Sequence, residues 1–384
     1  ILFVISLNVC TFAPKLIKAI LIKSSILNSF RTVFFSAVFL AISFLGFAKE
    51  KQTTQDDAPF DPKAMILHHV KDAHEFHLWD WKGTPVSLSL PILLWTDNGL
   101  TSFSSSEFHH DDEGHTIVEA NGGRFVKLHE KIYQLDAGAT TVAYDAEHHP
   151  TNAQKPIDLS ITRNVFMMWI SVALLLFIFL TTARGYKNSK DGVPTGIAGF
   201  MEPLIIFVRD EIGKPMIGEH KYKKYMPYLL TIFFFIWINN IFGLIPILNG
   251  ANLSGNIAFT FTLAMFTFII TTFSGNKNYW KHIFWMPGVP VPMKLFLMPI
   301  EIIGMFVKPI SLMIRLFANI TAGHVIILAL MSLIFVFKSV AIAPVSVAFS
   351  LFITVIEIIV TAIQAYIFTI LSALYFGMAT EEEH

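Results

Sequence analysis

Five ionisable residues interrupt the longest apolar stretches of this 384-residue sequence: Glu301, Lys308, Arg315, His324 and Glu357. A charge in such surroundings is costly, so each is a candidate for chemistry. Arg315 stands twenty residues into the run from Leu295 to Val336, too far from its start for the side chain to reach water there. Glu301 and Lys308 lie near the start of that run, where snorkelling to an interface is the competing reading. Ser311, Arg315 and Asn319 recur at intervals of four, which lays them along one helical face, and Lys308, seven residues before Arg315, joins that side. His324 follows Arg315 by nine residues, half a turn out of phase, and faces elsewhere.

The next apolar run, Ala341 to Phe376, carries Glu357 and Gln364 seven residues apart and therefore on one face. If the two runs form an antiparallel hairpin turning near residues 339 and 340, residues whose numbers sum to about 679 share a depth, because both helices rise equally per residue. Arg315 then lies level with Gln364, and His324 level with Glu357. Arginine keeps its proton at any accessible pH, so Arg315 supplies a fixed positive charge and no transferable proton. His324 and Glu357 both titrate, the histidine near neutrality. A titratable pair at one depth and a fixed cation at another make an access path ending at an electrostatic barrier. A buried structural ion pair beside a locally satisfied histidine is the alternative.

These positions require helices long enough to hold them. At about 1.5 Å per residue, the run from Leu295 to Val336 would reach about 63 Å, twice a hydrocarbon core of about 30 Å. It must tilt, bend at Pro299 or Pro309, or run partly along the interface; Pro344 is the matching bend candidate in the last run. Three shorter runs, Asn164 to Ala183, about Tyr228 to Ile247 and about Asn256 to Phe273, are each the length of one span. Between the first two, Ile197 to Gly218 mixes apolar residues with Glu202, Arg209, Asp210, Glu211 and Lys214, and reads as an amphipathic helix on the membrane surface, or else a loop. The expected fold is an all-α integral membrane protein with five transmembrane helices, the last two a long tilted antiparallel hairpin, plus the interfacial helix and a small β-containing N-terminal domain. Eleven lysines and arginines fall in Arg184 to Lys224 and Lys277 to Lys294, whereas the opposite loops hold only Lys338. That asymmetry places the basic segments and the C-terminal Glu381-Glu382-Glu383-His384 in the cytoplasm.

Composition agrees with a membrane protein: 54% of residues are hydrophobic and 15% charged, where about 25% charged is ordinary. The balance of 28 basic against 28 acidic residues hides three unlike parts. Residues 1–48 hold four basic and no acidic residues, 49–162 hold nine and eighteen, and 163–384 hold fifteen and ten. Net charge announces no nucleic-acid partner. The single Cys10 leaves no intramolecular disulfide. There is no phosphate-binding loop, Gly213-Lys214-Pro215 lacking its glycine spacing and hydroxyl, and no cofactor is implied.

Lys15, Lys18, Lys23 and Arg31 precede the apolar run Val33 to Phe47, which ends in Gly46-Phe47-Ala48. This reads as a secretory signal cleaved after residue 48, with a retained first membrane helix as the alternative. Residues 49–162 then form an acidic external domain holding ten of the fourteen histidines. Val86 to Leu90 alternates with period two, and Asp97-Asn98-Gly99 and Asn121-Gly122-Gly123 read as turns. His68, His69, His74 and His77 crowd within ten residues, which raises a metal site as a minor possibility beside solvated histidines.

The string Pro309-Ile310-Ser311-Leu312-Met313-Ile314-Arg315-Leu316-Phe317-Ala318-Asn319-Ile320-Thr321-Ala322-Gly323-His324 closely resembles the core motif of subunit a of rotary ATP synthases. The resemblance extends through Asn239-Asn240-Ile241-Phe242-Gly243-Leu244-Ile245-Pro246 and from Glu357 to Phe368, covering nearly all of residues 163–384. It implies a proton-conducting, non-catalytic stator of the F-type complex, working against a rotor ring of subunit c and held by peripheral-stalk subunit b, in a bacterial inner membrane with residues 49–162 in the periplasm. Arg315 would be the essential stator arginine with Gln364 beside it. Asn319, His324 and Glu357 would line the outer half-channel, and Glu301 with Ser311 the path to the cytoplasm. The order of His324 and Glu357 is reversed relative to many bacterial members, and the long region 49–162 lies outside the resemblance. A membrane sensor or transporter whose outer domain binds a ligand is the rival class; it would work without a ring.

Overall fold

In the computed structural model, the described residues are 72–81, 84–136, 138–145, 150–188, 195–245, 253–286, 288–337 and 342–381. The signal-like segment 1–48, His68, His69, Pro246, the expected turn at 339 and 340, and the last three residues lie outside them.

Among the described residues, nine short strands precede the long helices: β1 Glu75–Trp81, β2 Thr84–Ser89, β3 Pro91–Thr96, β4 Gly99–Ser104, β5 Val118–Ala120, β6 Gly123–Leu128, β7 Lys131–Leu135, β8 Ala153–Gln154 and β9 Ile157–Asp158. They pair antiparallel as β1-β2, β4-β3-β9 and β5-β6-β7-β8. Both expected turns are hairpins: Thr96 pairs with Gly99 and Ala120 with Gly123. Asn121 and Gly122 both take positive φ, 47° and 74°, the conformation a tight two-residue turn demands. Alternation turns Ile92 and Leu94 of β3 inward, where they meet Phe108, Val118, Phe125 and Ile132 in an apolar core between two sheets.

A buried ion cluster joins this β region to the first long helix, α1 Arg163–Asn188. His74, 3% exposed, places Nε2 3.2 Å from Asp158 Oδ2 and Nδ1 3.8 Å from Glu130 Oε2. Lys127 Nζ lies 3.7 Å from Glu130 Oε1. Burial disfavours the imidazolium, but hydrogen bonds to Asp158 and Glu130 outweigh it and raise the His74 pKa to about 9. The same contacts overcome burial in the two carboxylates and lower each to about 2. Arg163 N donates to Ala73 O at 2.9 Å, Asn164 N to Asp72 Oδ1 at 3.2 Å, and the Phe76 and Phe166 rings meet edge-on. His74 is therefore an ion-pair residue. Among the described residues, no group of three His, Cys, Asp or Glu side chains is arranged to hold a metal.

Five helices among the described residues are long and apolar enough to cross a membrane: α1, α4 Tyr222–Leu244, α5 Ile257–Ser274, α7 Val291–Val336 and α8 Ala343–Thr380. Between α1 and α4, α2 Ile197–Phe207 runs through a π-helical turn, Val208–Gly213, into α3 Lys214–Ile217; α6 Lys277–Phe284 follows α5. The segment expected on the membrane surface is thus helical, and its Val208 and Ile212 are fully buried against the bundle. Arg209 and Lys214 bracket Asp210 and hold its carboxyl well below the usual range. Helix α7 runs uninterrupted through Pro299 and Pro309, whereas Pro344 sits in the first turn of α8. There its missing N–H costs nothing, so it starts that helix and does not bend it. Helix α4 begins six residues before the expected Tyr228, because its first turns pack on the bundle through Tyr225, stacked on Phe376 at 4.9 Å.

Candidate functional site

Helix α7 divides its surface between packing and chemistry. Leu312, Leu316 and Ile320 form the stripe sunk into the bundle core, each 2% exposed or less. Ser311 and Arg315 lie half-buried on the neighbouring face and Asn319 is exposed on it, flanked by exposed Ile310 and Ile314. Apolar packing thus fixes the rotation of α7, and that rotation leaves the polar stripe at the bundle's surface. Among the described residues no hydrogen bond or ion pair engages the Arg315 guanidinium.

Helix α8 presents the converse arrangement. Its polar residues Ser346, Ser350, Glu357, Thr361 and Gln364 are all buried, on a face set by spacings of four, seven, four and three. The hairpin register is visible in two contacts: Ser346 Oγ donates to Leu330 O, and the Glu357 carboxylate packs on Gly323 so closely that a Cβ there would collide with it. Both pairs sum to within a few residues of the expected depth rule, so Glu357 does lie level with Gly323 and its neighbour His324. The two titratable side chains are not hydrogen-bonded to each other: His324 Nε2, Thr321 Oγ1 and both Glu357 oxygens are buried without a hydrogen-bond partner. Gln364 is buried at 5% exposure and makes no hydrogen bond to Arg315.

At the other end of the hairpin, Lys308 Nζ sits 5.7 Å above the Tyr375 ring in a cleft lined also by Thr271, Tyr279 and Met305. Glu301 is half-buried and lines a separate shallow cleft with His282 and Lys294. Ser311 lines neither of these two clefts.

Several buried polar residues escape a search for charges. Tyr228 Oη and Thr267 Oγ1 are 2.8 Å apart, and Thr267 Oγ1 lies 3.2 Å from Ser372 Oγ, a hydroxyl chain linking α4, α5 and α8. Asn239 and Asn240 are buried near the end of α4; Asn240 Oδ1 accepts from Ser254 Oγ at 2.5 Å, and Asn239 Nδ2 donates to Phe235 O at 2.6 Å. The four-residue step from Glu357 to Thr361 was the signal available for the latter residue.

The comparisons with known proteins bear on the same region. The sequence model of the ATP synthase A chain family matches residues 165–377, more than half of the chain. The chain belongs to the ATP synthase subunit a family. It is 48% identical over 242 residues to ATP synthase subunit a of Chloroherpeton thalassium, an alignment covering 62% of this chain and 71% of that relative. It is 42% identical over 309 residues to ATP synthase subunit a 2 of Prosthecochloris aestuarii, covering 77% and 93%. With the corresponding protein of Chlorobaculum tepidum the figures are 45% over 277 residues, 68% and 77%. A domain of unknown function matches residues 65–159, the segment containing the strands. Membership of this F-type family makes the chain a multi-pass membrane-sector component of ATP synthase with a part in proton transport, and sets aside the sensor reading.

Proposed function

We propose that the chain is the non-catalytic stator that carries protons past a rotor ring through two half-channels separated by Arg315. The observation that carries this reading is the Arg315 guanidinium, half-buried midway along α7 on an apolar surface and without a carboxylate partner among the described residues. An arginine in that setting retains its charge and calls for an anion. The anion it suits is a carboxylate on another subunit, here the ring subunit c. When a ring carboxylate comes level with Arg315, the fixed cation favours its ionised form, so its proton leaves on one side and is replaced from the other.

Glu357 and His324 are the groups to receive and release protons on the outer side, with Asn319 along the same face as Arg315 and Gln364 beside it. Buried, unpartnered acceptors at Glu357 support that role, because a carboxylate without a fixed partner can exchange protons. Glu301 and Ser311 line the cytoplasmic path. The positive-inside asymmetry orients the β region to the periplasm and the C-terminus to the cytoplasm of a bacterial inner membrane, with subunit b of the peripheral stalk restraining the stator. Replacing Arg315 by Ala in the intact complex, reconstituted into vesicles, should reduce proton-driven ATP synthesis to background. Synthesis persisting near the normal rate would overturn the reading.

A further inference from the structure

The three-stranded sheet β4-β3-β9 has one face in the protein core and the other uncovered. Leu100, Trp95 and Ile157 form a direct cross-strand row on the open face, since Trp95 pairs with both Leu100 and Ile157. They are 56%, 56% and 64% exposed, and Leu159, two residues beyond Ile157, is 56% exposed. The remaining outward positions of β3, Pro91 and Leu93, are also apolar, and their partners on β4 are Ser104 and Ser102. These paired positions hold no charged residue, within a segment of eighteen acidic and nine basic residues (49–162). A contiguous exposed apolar face of this kind marks a site of association.

We propose that this face docks into the interfacial layer of the bilayer, beside the first membrane span. The argument is its continuity with α1. Leu159 N donates to Leu93 O at 2.8 Å and Ile161 N to Pro91 O at 3.2 Å, so the chain stays tied to β3 until two residues before α1 begins at Arg163. Four residues separate Leu159 from Arg163, at most about 14 Å of chain. The outward surface of α1 is apolar from Trp169 onward. Trp95 and Trp169 thereby form part of an aromatic belt, the position tryptophan favours at a membrane boundary. The orientation of the strand is not left to chance: Asp158, on the opposite face, is held by His74, and Ser160 Oγ accepts from Leu93 N at 3.1 Å. These inward anchors force Ile157 and Leu159 outward. An uncharged face on an acidic domain suits zwitterionic headgroups and acyl chains, so the association should be indifferent to salt.

The test uses the full chain in phosphatidylcholine vesicles containing lipid brominated high on its acyl chains. The emission attributable to Trp95, taken as the difference between the wild type and Trp95→Phe, should lose more than half its intensity to the brominated lipid at low and high salt alike. Trp169, on the span itself, is the positive control. Trp95 emission untouched by brominated lipid would overturn the proposal. In that event, quenching by aqueous acrylamide would place the face in water, and protection from both quenchers would place a protein surface over it. A nitroxide at Leu100→Cys, in a Cys10→Ser background, gives a second reading: collision with oxygen should exceed collision with an aqueous nickel complex, and the reverse order would refute docking.

Discussion

Gly323 shows how a single missing methyl group permits the proposed proton path. The Glu357 carboxylate occupies the space a Cβ would fill, which brings an acid against the backbone of α7 one residue before His324. Gly323→Ala should therefore force Glu357 aside. We expect a loss of about 1–3 kcal/mol in stability, typical of overpacking, and reduced proton flux, read from thermal unfolding in detergent and from vesicle acidification. Glu357→Asp, shorter by one methylene, should partly restore the stability of Gly323→Ala, so that the two changes are non-additive. Glu357→Gln keeps the shape and removes the titration; on the proposed function it should impair proton flux while leaving the unfolding temperature near that of the wild type. Unchanged flux would remove Glu357 from the path.

At the scale of elements, the C-terminal end of α8 is held by its neighbours. Lys221 Nζ donates to Thr380 O at 2.7 Å, Asn276 Nδ2 donates to the same carbonyl at 3.1 Å, and Asn276 N donates to Ala379 O at 2.9 Å. These contacts satisfy carbonyls that the helix leaves unpaired, and the lysine also complements the helix dipole. Gly377 lets the backbone at Met216 close directly on α8. Gly377→Val should push the α2–α3 segment off the bundle, costing about 1–3 kcal/mol as an overpacked contact. Limited proteolysis between residues 197 and 218 should then accelerate, while cleavage of the β region stays unchanged.

For the molecule as a whole, the coupling of the β region to α1 depends on pH. His74 titrates near 9 against an ordinary 6.5, so its stabilising contribution is complete below about pH 6.5 and is lost as pH rises through about 9. Glu130 and Asp158 titrate near 2, so their contribution is complete above their ordinary values, 4.5 and 3.8, and is lost as pH falls through about 2. The cluster is therefore strongest between about pH 4.5 and 6.5. Glu130 holds its place in a turn where both it and His129 adopt positive φ, 63° and 50°, a conformation unfavourable without glycine that the ion pairs and two hydrogen bonds to Asp112 sustain. His74→Ala removes the cation that Asp158 and Glu130 share and leaves Glu130 to Lys127, and should cost about 3 kcal/mol. Hydrogen exchange in peptides covering residues 153–163 should speed up in that variant, and their protection relative to intrinsic exchange should no longer fall as pH rises through about 9.

Sequence alone settled the features governed by periodicity and by the cost of charge in an apolar medium. The five spans, the polar stripe through Ser311, Arg315 and Asn319 and the two glycine-containing turns are consequences of local pattern, and the shared depth of His324 and Glu357 follows once the last two runs are paired as a hairpin. Tertiary structure decided what depends on contacts between distant segments. It set which way α7 is rotated, because Leu312, Leu316 and Ile320 compete for the core with the polar stripe. It made Pro344 a helix start, tied His74 to carboxylates 56 and 84 residues away, and left the row Leu100, Trp95 and Ile157 uncovered. No short window along the chain joins His74 to those carboxylates or Trp95 to Ile157, so no local pattern could name those pairs.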